Sequence, residues 1–146
     1  MPTLLAEHDR EALIRRLGTL TSHHQRRWGR MTAPQMLCHV SDQLRVALGD
    51  LPIRPYGGAL VGQLLRWYAI HSPLPWPKGK VRTSPEMLTA KPAAWDGDVR
   101  SCQELIRRFA SERPGSVHPR FGRLTAREWG ILAAKHLHYH FTQFDV

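Results

Sequence analysis

With 146 residues, 42% of them hydrophobic, the chain can bury a core without disulfide support and reads as one domain spanning residues 1–146. Its formal net charge of +9 raises nucleic-acid binding, but Arg15-Arg16, Arg26-Arg27, Arg107-Arg108 and the trio Arg120, Arg123 and Arg127 are scattered among apolar positions without a basic tail. Solvated helix faces account for them more simply, so a basic nucleic-acid-binding module stands as the third and least favoured reading; no apolar run approaches the ~20 residues needed to cross a bilayer, which sets membrane insertion aside.

The N-terminal residues acquire charge at once and show no signal-like apolar stretch. Cys38 and Cys102 lie far apart without metal-ligand or redox spacing. Both features fit a cytoplasmic protein in a reducing compartment.

The pattern is helical from the start. Leu13, Leu17 and Leu20 recur at three-to-four spacing, which predicts a helix over about residues 3–17, ended by Gly18. A second helix opens at Thr32, whose hydroxyl can cap while Gln35 reaches back and Pro34 occupies the first turn, and it runs to about residue 48. Residues 49–92 hold most of the prolines and read as an insertion wrapped over the helices, interrupted by one helical piece near residues 59–70. Asp96 is the expected N-cap of a third long helix, which reaches about residue 111 before Pro114-Gly115 stops it.

The last helix is the clearest, with Thr125 and Glu128 forming a capping box and Trp129, Leu132, Ala133, His136, His140 and Gln143 following at helical spacing. No β alternation competes with this pattern. The expectation is an all-α chain: an antiparallel four-helix bundle with a Pro-rich insertion carrying an extra short helix.

The chemistry sits on that last helix. His136 and His140 are four residues apart, so both imidazoles leave one face at neighbouring turns and can share a metal ion. Hydrogen bonding to neighbouring helices or to buried water is the ordinary alternative for such a pair. His39 sits one turn after Gln35, beside the apolar stripe of Met36, Val40 and Leu44, and can point at the same axis as a third ligand. Three neutral imidazoles on a divalent cation leave a position open for water or substrate, but imidazole alone does not choose between Zn²⁺, Ni²⁺ and similar ions.

Asp42 can orient His39 or face solvent, and Gln143 can brace His140 or bond between helices. Trp28, Trp129 and Tyr139 are pocket candidates whose ordinary role would be core packing. His138 should emerge on the side away from His136 and His140. His8, His23, His24 and His71 have no ligand-like partner in sequence, and His118 reads as part of a turn that leads into the last helix, with Phe121 as a hydrophobic staple.

Two segments carry a family resemblance: Trp28-Gly29-Arg30-Met31-Thr32-Ala33-Pro34-Gln35-Met36-Leu37-Cys38-His39, and His118-Pro119-Arg120-Phe121-Gly122-Arg123-Leu124-Thr125-Ala126-Arg127-Glu128-Trp129-Gly130 continuing through His136 to Phe144. They resemble the DinB-like superfamily of metal-binding four-helix bundles, in a branch defined as a domain of unknown function. The resemblance implies that His39, His136 and His140 are the metal ligands and that Gln143 matches a glutamine that follows the second histidine of the pair. The sequence departs from the common pattern at Tyr139 and Asp145, and neither change removes a ligand.

Relatives of this fold include thiol-dependent S-transferases and isomerases. The resemblance therefore implies a metal-dependent enzyme acting on a small molecule with a low-molecular-weight thiol, ahead of hydrolysis by an activated water. A non-catalytic metal-binding or stress-associated protein is the alternative. An apolar face left on such a bundle would support a homodimer.

Overall fold

The computed structural model describes residues 1–80, 83 and 85–146; positions 81, 82 and 84 of the expected insertion lie outside the described residues. The chain is mostly helical. Helix α1 spans Glu7–Thr19 and turns Leu13, Ile14 and Leu17 inward. It starts later than the leucine spacing suggests, because the residues before it are tied elsewhere: Leu4 N–H donates to the Gly130 carbonyl at 3.1 Å, and Thr3 N–H donates to Asp9 at 2.9 Å. Gly130 permits this approach, since a Cβ there would stand 2.5 Å from the Thr3 hydroxyl oxygen. Gly18 lies inside the helix, and extended backbone at Leu20 ends it.

Helix α2, Ala33–Leu48, begins with the expected capping box. Gln35 N–H donates to the Thr32 hydroxyl at 3.3 Å and Thr32 N–H donates to the Gln35 side chain at 2.9 Å. This helix packs against α4 and α5 and is covered by the segment around Met87, so even its polar residues His39, Ser41, Asp42 and Gln43 are buried.

Helix α3, Ala59–Arg66, runs straight into a π-helical turn over Trp67–His71, which matches the helical piece expected near residues 59–70. Leu60, Val61, Leu64, Leu65 and Trp67 remain exposed on it. The helical run ends at His71, which leaves its last carbonyls without intrahelical donors, and Lys135 of α5 donates from Nζ to the carbonyls of Ile70 at 3.0 Å and Ser72 at 2.8 Å, with Ala69 at 3.3 Å. A short 3₁₀ turn, Pro85–Leu88, then lays Met87 against α2.

Helix α4 spans Trp95–Glu112 and is capped at Ala94, not at Asp96. Asp96 and Asp98 instead occupy its first turn, where the helix dipole favours negative charge, and Asp98 accepts the Ala93 N–H at 3.1 Å. The helix ends at Arg113, in left-handed backbone, one residue before the expected Pro114 stop.

The expectation that no strand would occur needs one correction. Val117–His118 and Gly122–Arg123 pair antiparallel as β1 and β2, each two residues long, too short to leave any alternation in sequence. Helix α5, Ala126–Gln143, follows, opened by the Thr125 and Glu128 capping box. Leu124 is the buried apolar residue just before that cap; Phe121, expected there as a staple, stacks on His118 instead.

Helix α1 packs against α4 and α5, as α2 does. Trp129, Phe109, Phe141 and Phe144 fill the space between these helices. Among the described residues no helix is long and apolar enough to cross a membrane.

Candidate metal centre

Helix α2 contributes His39, and successive turns of α5 contribute His136 and His140. The three rings form a nearly equilateral propeller, with centroids 4.9, 4.9 and 4.6 Å apart and planes crossed at 75–82°. One nitrogen from each lies within 4.8 Å of the others, close enough to hold one metal ion, and His39 Nε2 stands 3.0 Å from His136 Nε2.

Hydrogen bonds on the far side fix the tautomers of two rings. The Met87 carbonyl can only accept, so the 2.8 Å contact with His39 Nδ1 places the proton on that nitrogen and leaves Nε2 bare. Gln143 does the same for His140. Its amide nitrogen donates to the Trp28 carbonyl at 2.6 Å, so its oxygen faces His140 Nδ1 at 2.9 Å and accepts the proton there. Gly29, at φ 81, makes room for that amide, because a Cβ would stand 2.5 Å from Gln143 Nε2. His136 Nδ1 is buried without a hydrogen-bond partner among the described residues.

Burial holds all three imidazoles in the neutral form that binds metals. It pulls His39 below its ordinary pKa, against the opposing effects of the Met87 hydrogen bond and the charge of Asp42. His136 lies well below its usual value through burial and the neighbouring His140 and His39. His140 is pushed down to about 3 by burial and by His39, with the Gln143 hydrogen bond acting the other way.

Of the remaining candidates, Asp42 is 2% exposed and does not touch His39. It accepts the N–H groups of Thr89 and Ala90 at 3.0 and 2.9 Å and pairs with Arg45 at 3.1 Å, anchoring the strip of chain whose Met87 carbonyl orients His39. Its support is therefore indirect. Tyr139 stands over the centre: its ring is 5.1 Å from that of His140 and 5.8 Å from that of Trp76, and its hydroxyl accepts the Gly79 N–H at 2.9 Å. Trp28 meets Tyr139 edge-on at 5.9 Å.

Trp129 belongs to the core, with its indole N–H on the Ser116 carbonyl at 2.8 Å. His138 faces away from the cluster and bonds to Arg16 at 2.7 Å. Neither cysteine joins the site, and burial raises both thiols, Cys102 to about 12.

His136 and His39 form part of the wall of a cavity of about 540 Å³. Tyr56, Tyr68, Trp76 and Phe121 supply its aromatic surface, and Gln43 and His118 its neutral polar groups. Sequence reasoning missed Gln43 and Trp76 and gave His118 to the turn. A buried amide one turn beyond His39 was the available signal for Gln43, whereas Trp76 reaches the site only because the insertion folds back.

Comparison of the chain with protein-family models, with curated proteins and with solved structures finds no match. What the fold and the site define is a mostly helical chain carrying three histidines close enough to bind one metal ion.

The supporting hydrogen bonds have a measurable consequence. Gln143→Leu frees the His140 ring and leaves the Trp28 carbonyl without its donor, so divalent-metal affinity measured by chelator competition falls by about 10- to 100-fold. Unchanged affinity would mean that packing alone orients His140.

Proposed function

We propose that this chain is a DinB-like metalloenzyme: α1, α2, α4 and α5 form the antiparallel four-helix bundle, and the three-histidine cluster holds a divalent ion, Zn²⁺ or Ni²⁺, that acts on a small molecule. The supporting observation is the convergence of three neutral imidazoles, two with tautomers set by Met87 and Gln143, at the wall of a cavity large enough for an organic substrate. Among the described residues no carboxylate or thiol joins the three as a fourth ligand.

A bound divalent cation supplies Lewis acidity, lowering the pKa of a thiol or water placed beside it. The protein's own residues do the rest. His39 and His140 present bare Nε2 lone pairs without first losing protons, His136 would do so with its proton moved to Nδ1, and Asp42, through the strip it anchors, holds the Met87 carbonyl against His39. Trp76 and Tyr139 screen the centre from one side. The reaction class best supported by the resemblance is transfer of a low-molecular-weight thiol, with hydrolysis second and a purely metal-binding role as the alternative. The apolar side chains that α3 turns to solvent support self-association as a homodimer.

The test is turnover of metal-loaded protein with a set of small thiols and a chromogenic aryl halide, in which a sulfur–carbon bond forms, halide leaves and the thiol proton passes to solvent. Turnover that chelation and His136→Ala both abolish supports thiol transfer. Hydrolysis of an activated ester under the same controls favours the second reading, and stoichiometric metal with neither activity leaves the metal-binding alternative.

A further inference from the structure

His118 has a hydrogen-bonding arrangement that the turn alone does not require. Its Nδ1 accepts two backbone N–H groups, those of Arg120 and Phe121, each at 3.1 Å. A ring nitrogen that accepts cannot carry a hydrogen, so in the neutral ring the proton sits on Nε2. The ring is clamped flat on Phe121, with centroids 4.2 Å apart and planes at 8°, and tilted on Trp129 at 5.3 Å. Burial pushes its pKa down to about 3, so near neutral pH it is a fixed donor, neither charged nor a proton acceptor at Nε2.

That ring lines the cavity shared with His39 and His136, and its Nε2–H has no protein partner among the described residues. A donor facing an aromatic-walled cavity without a protein acceptor points to a ligand that brings one. The charge of the lining narrows the choice: Lys80 and Arg120 belong to it, and among the described residues no carboxylate does.

We propose that this cavity binds an organic anion, an apolar or aromatic body bearing a carboxylate or similar oxyanion, and that His118 donates its Nε2–H to the anionic group. Lys80 and Arg120 supply the positive field and the aromatic walls take the body. As the substrate class of the enzyme it rests on the reading given under the proposed function; as a binding event it requires no metal.

The experiment is calorimetric titration of the intact, metal-stripped chain with 2-naphthoate and with its neutral counterpart 2-naphthylmethanol, repeated on His118→Asn. Asparagine keeps an oxygen that can accept the Arg120 and Phe121 N–H groups but removes the outward donor. The expected result is naphthoate binding at least about tenfold tighter than the alcohol, and a loss of about tenfold or more in His118→Asn, as removal of a hydrogen bond to a charged group brings. A nitrogen-edited NMR titration of the wild type, which does not depend on the variant folding, should show the His118 Nε2–H resonance shifting as naphthoate is added.

Equal affinity for the two probes, unchanged affinity in a folded His118→Asn, or a His118 resonance that stays still at saturating naphthoate would overturn the proposal. Failure of the three-histidine centre would appear in metal content instead and leave these metal-free titrations as they are.

Discussion

His136→Ala loses stoichiometric divalent metal, and so does His39→Ala, when untagged protein purified without a nickel column is analysed by elemental mass spectrometry. The expected fall in affinity is more than about 100-fold, because removing a supporting hydrogen bond already costs 10- to 100-fold and these changes remove a ligand itself. The geometry makes the effect specific. His39 and His136 approach each other at 3.0 Å through Nε2, and no carboxylate or thiol among the described residues stands ready to replace either.

His138→Ala is the matched control, since it alters the same helix but removes only a ring bonded to Arg16 on the opposite face. It should retain metal at the wild-type level. A wild type that binds no Zn²⁺, Ni²⁺ or Mn²⁺ even on addition would reduce the three histidines to core polar groups.

The metal-free chain should also be unusually sensitive to mild acid. In the unfolded chain histidines titrate near 6.5; in the folded chain His39, His136, His140 and His118 all lie lower, the last two at about 3. Below pH 6.5 the unfolded state therefore binds more protons than the folded one, so stability is fully present above 6.5 and falls steadily as pH drops toward 3. His140 and His118, both near 3 when folded, each cost up to about 1.4 kcal/mol per pH unit below 6.5, or roughly 2 kcal/mol by pH 5, and His39 and His136 act in the same direction. Losses of this size are a sizeable part of the ~5–15 kcal/mol that holds a typical domain together.

Glu128 does not offset this loss. Burial would raise its pKa, but the Thr125 N–H and hydroxyl and the Arg66 guanidinium outweigh it and bring the carboxyl to about 2. Its contribution is present above 4.5 and disappears as pH falls from there toward 2, which adds to the acid lability. Urea midpoints recorded from pH 7.5 to 4.5 on chelated protein should fall steeply below 6.5, and added Zn²⁺ should restore part of the loss near pH 6. A flat profile between pH 7 and 5 would show that the four rings take up protons freely while folded.

How much of this could be read from residue order differs from element to element. The starts of α2 and α5 were legible because capping boxes are local: Thr32 with Gln35, and Thr125 with Glu128, are each three residues apart and need no tertiary partner. The pairing of His136 with His140 was legible for the same reason. The start of α1 was not, since what keeps residues 3–6 out of the helix is their attachment to Gly130 on α5. Asp42 was singled out as a group that could orient His39, yet its partners Thr89 and Ala90 lie 47 and 48 residues away, and no spacing rule reaches that far. His118 was visible only as part of a turn, because its second role depends on a cavity built by the insertion.

Lys135, next in sequence to His136, holds the carbonyl of Ala69 in the cavity wall and those of Ile70 and Ser72 beside it. That grip sets how the chamber can choose its guests. Swinging the wall outward would strand three acceptors at once and drag on the turn that carries His136, so the room cannot stretch around an oversized molecule. Selection by size is thus built in before any chemistry begins: a guest fits the space as folded or stays outside, and bulk added at the ring end of a ligand should exclude it as effectively as the wrong charge.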